Sequence, residues 1–296
     1  MSETGLKFGT RVMGLALRDL AEAARTFEDC GFESLWIQEH LVFPADLPAT
    51  YPYSEDGLAP VTAETPLYDP WAVLAHLAAP TERIRLGTNV YILPLRHPLQ
   101  TARSVVTLDR LSGGRAVLGV GVGWLEEEFE FVDVPFRTRG ARADATIAVL
   151  RRLWSDDVVE VSNEHFRFGP VRFRPRPLQP GGVPIEVGGG SPAALRRAGR
   201  LGDGWIEIGS TDLRDFSAKL AVVMAARRDS DRQGSPFEVT IQARPGWDRD
   251  DFRRARDAGA TRAIVGPPAG PDGRMTVAQC GEWARRFAEE VIGAGD

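Results

Sequence analysis

The chain is poor in cysteine, histidine and long apolar runs, and each shortage removes a class of function. Two cysteines in 296 residues, Cys30 and Cys280, are too few and too isolated for a disulfide framework or a zinc site. The four histidines show no HxH or HExxH spacing, and no paired-carboxylate motif replaces them, so no metal centre is expected. No GxSxG elbow or Walker loop is present. No apolar run approaches the roughly 18–20 residues that span a bilayer, so no membrane partner is expected. Positive charge is not in excess: 36 Lys and Arg against 41 Asp and Glu give a net charge of −5, which argues against nucleic acid as a partner. The opening MSETGLKFG lacks the charged-then-apolar pattern of a leader, and a cytoplasmic location is the expectation.

Strand-like and helix-like segments alternate along the rest. Lys7–Met13, Ser34–Ile37, Ile84–Tyr91, Ala116–Gly121, Val183–Val187, Gly204–Ile208, Phe237–Gln242 and Thr261–Val265 read as eight strands. Helical patterns follow them at Arg18–Cys30, Pro70–Ala79, Pro98–Leu111, Ala141–Trp154, Ser191–Gly199, Asp212–Arg232, Asp248–Ala258 and Val277–Ile292. Eight strand-then-helix units of short apolar strands predict an α/β fold, a (β/α)8 TIM barrel, as one domain over 1–296. Two insertions break the rhythm, Gln38–Leu67 after the second strand and Val159–Pro180 after the fourth. Long loops of this kind are usually functional, so both are candidate lids. Tyr51, Tyr53, Trp71 and the Phe-rich second insertion suggest an aromatic-lined pocket.

Within this frame RAVLGVGVGW stands out, because Gly119, Gly121 and Gly123 alternate along one strand. Alternate residues share a face, so the glycines leave that face without side chains. The strip suits either a flat ring or a tight strand–helix turn. SLWIQEHL sets Glu39 and His40 just beyond the second strand, at the catalytic rim of a barrel, and imidazole is the side chain suited to proton transfer near neutral pH. Glu39 is a candidate to orient it. Polar Thr88 and Asn89 interrupt an apolar strand and mark a bulge or a ligand contact. EVGGGSP, with Gly188, Gly189, Gly190 and Ser191 before a helix, offers backbone N–H groups to a phosphate, or is an ordinary capped turn. His76, His97 and His165 fit structural roles better.

SLWIQEHL, YPYSEDG, the DPWAVLAHL…LGVGVGW stretch and GGGSPAALRRAGRLGDGW together resemble the luciferase-like monooxygenase superfamily, most closely its F420-dependent oxidoreductase branch. The likeness runs from Lys7 to about Trp205. It implies a TIM barrel holding the deazaflavin F420, or FMN as the alternative, at the C-terminal strand ends. It further implies a non-prolyl cis peptide at Asn89–Val90 behind the ring, with Thr88, Asn89 and Val90 against it. Gly119, Gly121, Gly123 and Trp124, with Gly188–Ser191 and Glu39, are then cofactor contacts. His40 is the implied acid/base. Some relatives carry a catalytic glutamate where this chain has Trp124, and Glu127 is the candidate replacement. Flavin-using bacterial luciferase has a phosphate-contacting arginine where this chain has Val122, which favours F420. The implied activity is hydride transfer with a small-molecule substrate. The alternatives are an FMN-dependent monooxygenase using oxygen and a non-catalytic flavin- or F420-binding protein. A homodimer is expected on the same ground.

Overall fold

A computed structural model describes residues 4–12, 14–48, 50–54, 56–267 and 274–293. Eight parallel strands close into a barrel. They are β1 (Lys7–Arg11), β2 (Ser34–Ile37), β3 (Arg85–Thr88), β5 (Ala116–Gly121), β8 (Ile185–Gly188), β9 (Gly204–Ile206), β10 (Glu238–Gln242) and β11 (Arg262–Val265), with β3 pairing β5 to complete the ring. The expected first strand ran to Met13, which lies outside the described residues. Two-residue β4 (Tyr91–Ile92) continues the line of β3 after a break at Asn89–Val90, where a cis peptide bond sits. The outer layer contains α1 (Leu20–Asp29), α2 (Pro70–Ala78), α3 (Pro98–Leu111), a short α4 (Glu126–Glu130) and α5 (Arg139–Ser155). It continues with α6 (Pro192–Leu201), α7 (Leu213–Arg228), α8 (Arg249–Asp257) and α9 (Val277–Phe287). Three helices start on a residue–proline pair, where proline's preset φ and missing N–H suit the first turn. Asp69 and Ser191 accept from the amides of Ala72 and Ala194, and the His97 ring from that of Leu99.

The barrel interior is built in levels. At its base Arg262 is 1% exposed and donates to Glu186 at 2.8 and 3.0 Å, to Glu33 at 3.1 Å and to Glu238 at 3.2 Å. Burial lowers the affinity of that guanidinium for its proton, and the three carboxylates outweigh it and push the pKa above the ordinary arginine value. Trp36 fills the next level with Val117, Ile206 and Ile264, and the Arg262 guanidinium packs on its ring face. Outside the barrel, Phe8, Phe27, Leu74, Val105, Leu150 and Phe252 sit in the layer between strands and helices.

The second insertion is not a lid. Val159–Pro180 begins as an antiparallel hairpin, β6 (Val159–Ser162) and β7 (Arg167–Val171), whose Val159, Val161 and Phe166 enter the core. The proline-rich return is tied along α3: Arg103 donates to the Arg174 carbonyl, Arg110 to the Arg176 carbonyl, and Leu178 N–H to Asp109. Alternating apolar residues let the segment bury one face, which a mobile cover would not need.

Glu28 closes the α1–β3 junction. Its carboxylate accepts the amides of Glu82, Arg83 and Ile84. Burial acts to raise its pKa, but these three amides and Arg83 outweigh that and leave it below the ordinary carboxylate value. A depressed carboxylate adds stability above the unfolded value and loses it as pH falls through the folded one. Glu28→Gln is therefore expected to lower the melting temperature at pH 7. The gap to the parent should close as pH falls below the ordinary glutamate value of about 4.3. A gap that persists unchanged in acid would contradict this role.

Candidate active site

The first insertion crosses the C-terminal mouth of the barrel and carries an aromatic cluster there. His40, just after β2, packs against Phe43 with ring centroids 4.8 Å apart and against Trp124 at 5.7 Å. Tyr51 meets Trp124 at 5.2 Å and Tyr53 at 5.4 Å. A Cβ on Gly189 would come 3.8 Å from the Tyr53 hydroxyl and one on Gly209 2.7 Å from its ring, so the insertion touches the turn before α6. Trp71 is elsewhere, buried against Tyr91 on the helix side, and does not line this mouth.

His40 has a defined partner, and it is neither Glu39 nor Glu127. Its Nδ1 lies 2.7 Å from Oε2 of Glu128, whose side chain is fully buried. The other carboxylate oxygen accepts the amides of Leu41 at 2.7 Å and Val42 at 3.3 Å. A carboxylate accepts only, so the Nδ1–H tautomer is assigned and Nε2 remains for a ligand. Glu39 points the other way: it is paired to Arg96 and accepts the Ile92 amide at 2.8 Å. Burial pushes its carboxyl up, and the Arg96 guanidinium offsets part of that. Adjacent residues in an extended segment face opposite sides, which is why Glu39 cannot orient the imidazole. Glu127 is half-buried and has no side-chain hydrogen bond among the described residues. The signal for Glu128 was present in the sequence. Leu125 and Phe129 are both fully buried, and an i, i+4 apolar pair puts residue 128 on the inward face and 127 off it.

The glycine strip is occupied by the protein itself. A Cβ on Gly119 would overlap the Thr88 carbonyl, one on Gly121 would come 2.5 Å from Val90, and one on Gly123 would come 2.8 Å from Ile92. Gly188 faces Val90 from the other side, where a Cβ would lie 2.7 Å away. The strip therefore seats the broken third strand, and Val90 fills a notch between Gly121 and Gly188. Thr88 is fully buried and donates to the Gly119 carbonyl at 2.7 Å, so it supports the notch from behind. Gly121→Ala is expected to push Val90 out of its notch. Cofactor affinity should fall by about tenfold or more, equivalent to about 1.4 kcal/mol, in a titration of the variant; unchanged affinity would contradict the seating role.

Ser191 caps α6, and Gly189 at φ +128° turns the chain before it. Trp205 Nε1 donates to the Gly189 carbonyl at 2.9 Å and holds the turn from below. His97 caps α3 between Phe166 and Phe168, consistent with a structural role. No group of metal-binding side chains occurs among the described residues, and no helix there is long and apolar enough to cross a membrane.

A family model described as luciferase-like monooxygenase matches residues 4–290. The chain belongs to the luciferase-like monooxygenase family. One relative within it, an uncharacterized protein of Mycobacterium tuberculosis, is 35% identical over 82% of this chain and 83% of its own length. An F420-dependent glucose-6-phosphate dehydrogenase of Kineococcus radiotolerans is 32% identical over 78% of this chain and 64% of its own. The monooxygenase RslO1 of Streptomyces bottropensis shares the fold, with a TM-score of 0.75 at 22% identity over 97% of this chain and 99% of its own. Membership in the luciferase-like family makes the chain an oxidoreductase.

Proposed function

We propose that the chain is an F420-dependent oxidoreductase that moves a hydride between the deazaflavin ring and a small organic substrate. The observation that carries it is the pairing of buried Glu128 with His40 just beyond β2, the strand that pairs with β3 ahead of the Val90 notch, which sets a proton-transfer group at the same end of the barrel. The residues fit the cofactor. Val90 and Asn89 offer the ring a face, and the Gly188–Ser191 turn at the start of α6 offers amides and a favourable dipole to a phosphate. Val122 is packed on the core, so no arginine reaches a flavin phosphate from that position. The F420-dependent relative at 32% identity points the same way.

Bound F420 would supply a two-electron hydride carrier. The chain does the rest. Hydride loss from a substrate carbon requires a proton to leave the attached heteroatom, and hydride gain requires one to arrive. Neutral His40 accepts at Nε2 and its imidazolium donates from the same atom, with Glu128 stabilising the charged form. Tyr51, Tyr53 and Trp124 cover the mouth and exclude water. Fluorescence titration of the purified protein with F420 and with FMN tests the choice of ring. Saturable F420 binding with weak or absent FMN binding is expected; tight FMN binding without F420 binding would point to the flavin monooxygenase instead.

A further inference from the structure

Opposite the Val90 notch, across the barrel mouth, the wall carries hydrogen-bond donors that have no acceptor. Arg11 ends β1. Gly9, two residues earlier, faces Trp36 inside the barrel, so Arg11 shares that inward face. Its guanidinium lies over Gly266, where a Cβ would come 3.5 Å from Nε and Nη2. Among the described residues it makes no hydrogen bond and no ion pair. Burial alone lowers its pKa, and no carboxylate compensates. Among the described residues Glu39 is engaged by Arg96, Glu128 by His40, and Glu207 by the amides of Ser210 and Gln242.

A second donor stands two strands away. Gln242 ends β10, and its side chain shares the inward face of Thr240, which accepts from Arg262 inside the barrel. Its Nε2 is buried without a partner among the described residues. β11 lies between β10 and β1 and has Gly266, without a side chain, at the level of Arg11. A buried donor without an acceptor, as at Gln242 Nε2, is costly in a folded chain, and the half-buried fork of Arg11 is shaped for two oxygens of one anion.

We propose that the substrate of this site carries an oxyanion, a carboxylate or a phosphate, held by Arg11 with Gln242 beside it. The inference rests on the hydride-transfer reading for its place in a reaction, since the anion would fix the substrate's far end while its reacting carbon faces Val90 and His40. The site itself stands on the donors alone.

The test is a thermal-shift titration of the full chain, with and without F420, using inorganic phosphate, benzoate and chloride at matched ionic strength. At least one oxyanion should raise the melting temperature saturably beyond chloride. Arg11→Gln should weaken that response by about tenfold or more, and Arg11→Lys should keep part of it, since charge remains but the fork is lost. Ligand-free Arg11→Gln should melt no lower than the parent, because it removes an uncompensated charge. A response to benzoate but not phosphate assigns a carboxylate, and the converse assigns a phosphate. The proposal is overturned if neither oxyanion exceeds chloride, or if Arg11→Gln responds as the parent does. Saturable anion binding in a protein that does not take F420 would retain the site and refute the cofactor. F420 binding without an anion response would do the reverse.

Discussion

Replacing His40 by alanine is expected to lower hydride transfer by about 10²–10⁴-fold, the usual contribution of a positioned acid or base, while F420 still binds. The imidazole is the titratable group at the mouth with a free ring nitrogen, since Nδ1 is committed to Glu128 at 2.7 Å. Bleaching of the deazaflavin absorbance in single-turnover mixing reads the step for any substrate the parent turns over. Glu128→Gln should show a smaller loss of the same kind. The amide can still accept from Nδ1–H through its oxygen, but it no longer stabilises an imidazolium. It also weakens the anchors of Leu41 and Val42 at the start of the first insertion, so KM should rise along with the fall in kcat. If His40→Ala transferred hydride at the parent rate, the proton step would belong to another group.

The largest effect on stability is expected at Arg262. Arg262→Met would leave Glu186, Glu33 and Glu238 facing one another, with Glu186 only 2% exposed. Removing one partner of a buried ion cluster typically costs about 3–5 kcal/mol, read as a lower urea midpoint at unchanged slope. Burial already pushes the Glu186 carboxyl up in the parent, with Arg262 pulling against it. A carboxylate whose folded pKa is raised disfavours the fold increasingly as pH climbs through that value. The deficit of the variant should therefore shrink on acidification, when Glu186 takes up a proton. Adding Glu186→Leu should restore part of the loss by removing the stranded charge. A loss below about 1 kcal/mol, the range of an exposed pair, would show that the cluster is not buried in solution.

The barrel was legible because each strand–helix unit carries its own local signals. Pro70, Pro98 and Pro192 open helices where the pattern places them, and the last helix runs as read, with a π-turn over Ala288–Ile292 at its end. Errors arose where one segment is completed by another. The alternating glycines 119, 121 and 123 were visible, but what fills their face comes from a neighbouring strand that breaks at Asn89–Val90. Period-2 reasoning says which face is bare and nothing about what arrives to cover it. Val159–Pro180 was read as a candidate lid from its length and its place after a strand, whereas its alternating valines and Phe166 decide that it packs. In the run Glu126–Glu127–Glu128 three identical side chains differ only in angular position, and the choice follows from Leu125 and Phe129. Arg11 carried no local signal, since its isolation depends on Gly266 at the far end of the chain.

The central claim is that Val90, seated between Gly121 and Gly188, backs a deazaflavin ring next to His40. A crystal structure of the protein with F420 tests it most directly. The account predicts the ring against Val90 and Asn89, the phosphate at the Gly188–Ser191 turn, and His40 Nε2 facing the site with Nδ1 still on Glu128. A ring seated anywhere else, or a His40 turned away from it, would contradict the account.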